Sequence, residues 1–368
     1  MPVAIRFPPT VLLAAALVGS PPVLWSQERP EETPSPSLPQ AAAVPLRAVR
    51  TTPFGDGYFA WSSARCDAEG NAFFLQSLPE RRGSDAGGAG PYRPREVLRV
   101  GLDGDQTRFE PAGELGFGDL LEARPVSMTL GNEGAIHVLL WVERGHDGEQ
   151  YVVSFDRTGR SRSARRVPWD EIMVRQMEVF DSGDLLLRGR GPGERIDRLS
   201  VLSEDGSLED VLGWPSIEKR ALDLMTRSVD GRVYILEQDR LGGESVVYAV
   251  SASGVAAPAF RLPPTPPDRS LVGLHAAGGR LAVAYKESPR EEHARARSWI
   301  AVYVPGAASA ELEDLYGPGP GLPLCYAREG SRDLFTFFGG SGAGGLSLVV
   351  MEPDPAGRRL VARGSSAF

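Results

Sequence analysis

Glycine recurs in tight-turn contexts along this chain in two interleaved series. The first comprises Gly70 (DAEGN), Gly134 (GNEGA), Gly183 (DSGD), Gly231 (VDGR), Gly279 (AGGR) and Gly330 (REGS), spaced 64, 49, 48, 48 and 51 residues apart. The second comprises Gly104 (LDGD), Gly159 (RTGR), Gly206 (EDGS), Gly254 (ASGV), Gly306 (VPGA) and Gly357 (PAGR), spaced 55, 47, 48, 52 and 51. Asp, Asn, Ser and Gly gather there because hairpin turns need positive φ, which glycine reaches without steric cost. Each unit reads as apolar stretch, Gly turn, apolar stretch, variable loop, apolar strand, second Gly turn and a last, weaker strand. Runs such as RVYILE (232–237), SVVYAV (245–250), AIHVLLWV (135–142) and DLFTFF (333–338) are apolar at nearly every position. A half-exposed sheet would alternate, whereas a sheet covered on both faces need not. Six such units predict an all-β, six-bladed β-propeller of four-stranded antiparallel blades. The rival, a pair of large β-sandwiches, does not require the two series to stay in phase.

The units also resemble the NHL-like family of six-bladed propellers. SARCDAEGNAFFLQ (63–76), followed by EVLRVGLDGDQTRFE (96–110), matches that family's inner strand, Asp-x-x-Gly-Asn turn, apolar strand and strand ending in Asp-Gly. RSVDGRVYILEQD (227–239) repeats the scheme, while the units around Gly279 and Gly330 lack the turn aspartate. The resemblance covers most of residues 55 to 365 and implies architecture, not activity. WD dipeptides, kelch pairs and YWTD signatures are absent.

The N-terminus divides off before the repeats begin. Residues 1–26 carry one positive charge, Arg6, and an unbroken apolar run from Val11 to Val18, ended by Pro21 and Pro22. That run suits a signal peptide and falls short of the ~20 residues a membrane-spanning helix needs. Cleavage after Ser26 is expected, with an uncleaved anchor as the other reading. The expected location is secreted or periplasmic, with no membrane span after cleavage. Residues 27–45 are rich in Pro, Glu and Ser and read as a disordered linker, leaving residues 46–368 for the propeller. The chain carries 40 basic against 48 acidic residues, a net charge of −8, which argues against a general nucleic-acid binder. Only Lys219 and Lys286 are lysines; the arginine bias suits carboxylate or phosphate partners, and base composition accounts for it equally well.

In a four-stranded blade, the first-to-second and third-to-fourth turns open on one face of the ring. The second-to-third loops and inter-blade links open on the other. Here the first face carries only tight Gly turns. The second carries PERRGSDAGGAGPYRPR (79–95), RGHDGE (144–149), GRGPGER (189–195), DRLGGE (239–244) and KESPREEHARARS (286–298), together with links such as PWDEIMVR (168–175) and GWPSIEKR (213–220). Binding residues usually sit on loops held by a rigid scaffold, so a ligand is expected on this long-loop face. Its candidate ligand-binding residues are Arg93, Arg95, Arg144, Arg190, Arg195 and Arg240, with Tyr92, Trp169 and Trp214. Arginine with aromatics suits anionic, glycan or peptide partners. Solvated loop arginines, and tryptophans packed beneath their loops, would look the same in sequence.

Catalytic signatures are missing. The four histidines, His137, His146, His275 and His293, form no metal-ligand spacing. No nucleophile elbow, P-loop or dinucleotide fingerprint occurs, so no cofactor and no metal are expected. Calcium-dependent six-bladed lactonases resemble this architecture and gather Glu, Asn and Asp at the channel mouth. Asn71 and Asn132, the only asparagines, fall in turns on the opposite face, although Asp119, Asp170 and Asp223 could ring the channel. A monomeric extracytoplasmic binding scaffold with a protein or glycan partner is therefore the leading expectation; a metal-dependent propeller hydrolase or lactonase is the alternative.

Cys66 and Cys325, the only cysteines, fall on the inner strands of the first and sixth units, which become neighbours when a ring closes. Cys66 precedes its turn glycine by four residues and Cys325 by five, so the two face their shared interface together or turn away from it together. They either form a disulfide that staples the ring, or pack as small apolar side chains. Intact-mass measurement of the exported protein should show loss of about the first 26 residues; a full-length mass in the membrane fraction would reveal an anchor instead.

Overall fold

The computed structural model describes residues 44–56, 60–79, 92–115, 120–131, 134–144, 147–215, 224–226, 228–238, 245–265, 268–287, 298–305, 312–317, 323–340 and 345–354. All of them belong to one compact unit, 41–368. The expected signal peptide (1–26), nearly all of the expected linker, Gly306, Gly357 and Arg240 lie outside the described residues.

The unit is a six-bladed β-propeller. The first strand, β1 (Val44–Asp56), precedes the blades. Blade 1 is β2 (Ala60–Cys66), β3 (Ala72–Pro79), β4 (Tyr92–Val100) and β5 (Gln106–Phe109), and blade 2 is β6 (Leu120–Leu130), β7 (Ile136–Arg144), β8 (Asp147–Phe155) and β9 (Ser161–Val167). Blade 3 is β10 (Met173–Val179), β11 (Leu185–Arg190), β12 (Arg198–Leu202) and β13 (Leu208–Asp210), and blade 4 is β14 (Leu224–Met225), β15 (Arg232–Gln238), β16 (Ser245–Ser251) and β17 (Ala256–Arg261). Blade 5 is β18 (Arg269–Ala277), β19 (Arg280–Glu287), β20 (Ser298–Tyr303) and β21 (Leu312–Gly317). Blade 6 has β22 (Pro323–Glu329), β23 (Arg332–Gly340) and β24 (Gly345–Pro353) from its own stretch of chain.

The predicted turns account for this regularity. All six first-series glycines have φ between 60° (Gly330) and 89° (Gly70, Gly183), and Gly104, Gly159, Gly206 and Gly254 are positive as well. Carboxylates finish several turns: Asp67 accepts the backbone N–H groups of Glu69 at 3.0 Å and Asn71 at 2.9 Å, and Asp156 does the same for Thr158 and Arg160. The second strands are buried on both faces, as Phe73, Phe74 and Leu75 show at 1% exposure or less. Their side chains fill apolar cores between successive blades.

Blade 6 departs from the sequence reading. Its fourth place is filled by β1 from the opposite end of the chain, not by a strand following β24. β1 pairs antiparallel with β24 from Leu46↔Pro353 to Asp56↔Gly345, with two bulges. It also touches β21 of blade 5 in parallel at Val44 and Pro45, which joins blades 5 and 6 into one eight-stranded sheet. Val44 and Leu46 are buried in the core between these blades, so the ring begins two residues earlier than the linker boundary implies. At the other end of β1, Phe54 packs on Phe74 of blade 1 and Phe338 of blade 6, with ring centroids 5.9 and 5.8 Å away.

Cys66 and Cys325 are joined as a disulfide across the same seam, with Cα atoms 5.8 Å apart and a sequence separation of 259. On the loop-entropy account, closing so long a loop destabilises the unfolded chain by about 5 kcal/mol. Converting both residues to serine should therefore lower the urea midpoint substantially. An unchanged midpoint would show that the β1–β24 pairing alone carries closure.

Candidate functional site

The inner strands β2, β6, β10, β14, β18 and β22 surround the central channel. A β-bulge recurs on five of them, centred on Ser62, Val126, Arg175, Val272 and Leu324. A bulge re-aims the local side chains, and Val126 and Arg175 are correspondingly exposed. The six strands carry Arg65, Arg124, Arg175, Arg269 and Arg328 against Glu122, Glu178 and Glu329. Around the channel axis three of these arginines are paired, Arg65 with Glu178, Arg124 with Glu122 and Arg175 with Asp197.

Buried carboxylates brace the blades around this axis. Glu178 of blade 3 is fully buried; it accepts a 2.8 Å bond from Arg65 of blade 1 and another from the Thr129 hydroxyl of blade 2. Asp333 of blade 6 accepts a 2.7 Å bond from the Tyr326 hydroxyl and pairs with Arg280 of blade 5 at 3.5 Å. Between blades 3 and 4, Arg188 pairs with Glu237 at 3.0 Å, both side chains at most 2% exposed. Losing one partner of such a pair leaves a buried charge uncompensated, at a cost of about 3–5 kcal/mol.

Asp197 stands on the long-loop side of Arg188. Its carboxylate, 5% exposed, accepts a 2.7 Å bond from Arg190 Nε, pairs with Arg175 and lies 3.7 Å from Arg188 Nε. Burial acts to raise its pKa, but the Arg190 bond and the charges of Arg175, Arg188 and Arg190 outweigh it and hold the carboxyl below its ordinary value of 3.8. The backbone beneath is closely fitted. Gln150 of blade 2 both donates to Val174 O and accepts from Val174 N, each at 2.7 Å, just before the bulge. Gly189 pairs with Val174, and a Cβ there would lie 2.2 Å from Met173 O, so no side chain fits between Arg188 and Arg190.

The predicted binding residues separate accordingly. Arg190 joins the Asp197 cluster, and its side chain is 42% exposed. Arg195 is exposed on the adjoining loop, and Trp169 is 36% exposed on the link into β10. Trp214 packs edge-on against Tyr248 at 5.4 Å with Arg188 5.9 Å from its ring, so it supports the site from below. Tyr92, Arg93 and Arg95 belong to β4, Arg144 ends β7 and Arg190 ends β11; all five are strand residues, not loop residues. The 79–95 and 144–149 loops are correspondingly shorter than their composition implied. Sequence reasoning missed Arg175, Arg188, Asp197 and Glu237. Arg188 carried a signal: it stands five residues past its turn glycine, where Leu75, Leu139, Leu236 and Ala284 occupy blades 1, 2, 4 and 5 and are all buried.

Among the hydrolase candidates, Asp170 is exposed, while Asp119, Asp223 and Asn132 lie outside the described residues. Among the described residues, no three His, Cys, Asp or Glu side chains gather as a metal site would require. A cavity of about 570 Å³ opens on the tight-turn face between blades 1 and 2, lined by residues that include Asp67, Asn71, Arg99 and Arg157. Its charged groups serve their own turns: Asn71 Nδ2 bonds Asp67 at 2.7 Å and Arg99 bonds Asp105 at 2.7 Å.

No family model matches the chain, and no curated protein matches it. Solved structures resemble it at low identity. A protein of unknown function from Dyadobacter fermentans is 12% identical with a TM-score of 0.48, covering 84% of this chain and 99% of that one. The phage phi92 endosialidase is 11% identical with a TM-score of 0.48, covering 83% of this chain and 69% of its own. A protein provisionally assigned as a gluconolactonase is 14% identical with a TM-score of 0.43, covering 84% of this chain and 99% of its own.

His137 and His275 set the pH response. Burial, together with the charges of Arg165 and Arg162, lowers the His137 pKa to about 4. Burial and the charge of Arg65 lower that of His275 to about 4, against a contrary bond to the Pro323 backbone. Both imidazoles stay neutral in the fold at pH values where the unfolded chain protonates them below about 6.5. Their contribution is complete above that value and is lost as pH falls toward 4. Stability should drop by a few kcal/mol, roughly, over this window, and His137→Gln with His275→Gln should flatten the melting-temperature profile there.

Proposed function

We propose that this propeller is an extracytoplasmic binding scaffold that engages a protein or glycan partner on its long-loop face. The supporting observation is a group of exposed arginines on the long-loop side, Arg175 and Arg190 with side chains 41 and 42% exposed, and Arg195, within a chain of net charge −8. Exposed charges of one sign on a rigid surface draw in ligands of the opposite sign. Trp169, exposed on the link into β10, adds an apolar ring to the same face. The buried ion pairs fix the blades against one another, as a preorganised binding surface requires. The NHL-like character of the repeats belongs to this reading, as does export by the N-terminal segment.

The test exploits the contrast between overall and local charge. At pH 7.5 the protein, despite its net negative charge, should be retained on a sulfated-polysaccharide matrix and elute with salt. Flow-through at low ionic strength would defeat the reading. Stoichiometric calcium or zinc in the purified protein, lost together with a lactone-hydrolysing activity, would establish the hydrolase alternative.

A further inference from the structure

At the position five residues past the turn glycine, blade 3 places a buried charge where blades 1, 2, 4 and 5 place an apolar residue. Arg188 is 1% exposed where Leu75, Leu139, Leu236 and Ala284 stand at 1% or less. An apolar side chain there would stabilise the interface between blades at least as well as a buried ion pair. A breach of the repeat rule that packing does not need marks a functional position. From Arg188 the charges alternate outward: Glu237 pairs with Arg188 at 3.0 Å, Arg188 lies 3.7 Å from Asp197, and Asp197 holds Arg190 at 2.7 Å together with Arg175. The chain of charges starts in a dry interface and ends in two guanidinium groups, 41 and 42% exposed.

We infer that Arg175 and Arg190 form a preorganised clamp for the oxyanion group of an acidic saccharide, with Asp197, Arg188 and Glu237 as positioning residues. This rests on the binding-scaffold reading and gives it a ligand class. Arginine presents a rigid fork of N–H donors matched to a carboxylate or sulfate. The shared carboxylate fixes both forks and limits the entropy lost on binding. Gln150 fixes the backbone at Val174, and the close approach at Gly189 fixes the strand that carries Arg190. Trp169 favours a sugar over an acidic peptide. It is exposed on the link whose Glu171 carbonyl accepts a bond from Arg198, the residue after Asp197, and an exposed aromatic face on that link offers a stacking surface to a pyranose ring.

Isothermal titration with a hexuronate oligosaccharide and with a sulfated neutral oligosaccharide tests the clamp and separates the two oxyanion sources. The clamp predicts binding of at least one, weakening with salt, and a loss of tenfold or more in both Arg175→Gln and Arg190→Gln. The double variant Arg188→Leu, Glu237→Leu restores the apolar pattern of the other blades. It should keep or raise the melting temperature while still weakening saccharide binding several-fold, an outcome that a purely structural ion pair would not produce. Three results would overturn the clamp: neither saccharide binding at millimolar concentration, equal binding by wild type and both glutamine variants, or a polyglutamate peptide binding where both saccharides fail. If the glutamine variants still adhere to the sulfated matrix, the scaffold reading stands and the clamp alone falls.

Discussion

The pairing of β1 with β24 is the constraint on which the rest of the structure depends. A propeller built from consecutive blades has two ends that must meet, and an open ring would expose the apolar faces of blades 1 and 6. β1 meets that need by leaving the N-terminal side of the chain, completing blade 6 and leading directly into blade 1. Phe54, Phe74 and Phe338 then pack across the seam, and Cys66–Cys325 joins the inner strands of the same two blades. Closure is therefore secured at the outer rim by hydrogen bonds, in the middle by aromatic packing and near the channel by a covalent bond.

With the ring closed, the inner strands converge and their polar residues must be satisfied in a narrow space. The solution is a set of carboxylates, each held by cations or hydroxyls from neighbouring blades, as with Glu178, Glu237 and Asp333. These pairs add little net stability over apolar packing, but they fix the blades against one another, and Glu178 with Arg65 also ties inner strands β10 and β2. The Asp197 cluster turns the same device outward, where the anchored arginines meet solvent. Rigidity at the axis and charge on the long-loop face thus arise from one pattern of alternating charges.

The repeat and its turns were legible because they rest on local chemistry: a turn needing positive φ selects glycine wherever the chain folds back. The neighbourhood of the two cysteines was legible for a related reason, since a ring makes the first and sixth units adjacent. Arg190, Arg195 and Trp169 were legible as members of a loop-rich face, though not as parts of one cluster. Arg188 could have been noticed as the one charge at an otherwise apolar repeat position. Asp197 could not, because nothing near it in sequence says which of several loop carboxylates will be drawn under three guanidinium groups. The strand residues Tyr92, Arg93, Arg95 and Arg144 were misplaced into loops because glycine-rich composition marks where a turn lies and not how far its flanking strands extend.

By itself the sequence determined the number of blades, the turn chemistry and the double-sided burial of the second strands, since each follows from residue type at fixed spacing. Only the tertiary structure decided that the N-terminal strand completes the last blade, because edge pairing depends on which strand arrives at an open edge and not on its composition. It also decided which charges meet. Ion pairs such as Arg65–Glu178, separated by 113 positions, depend on the curvature that brings three inner strands to one axis, and no local pattern encodes that distance.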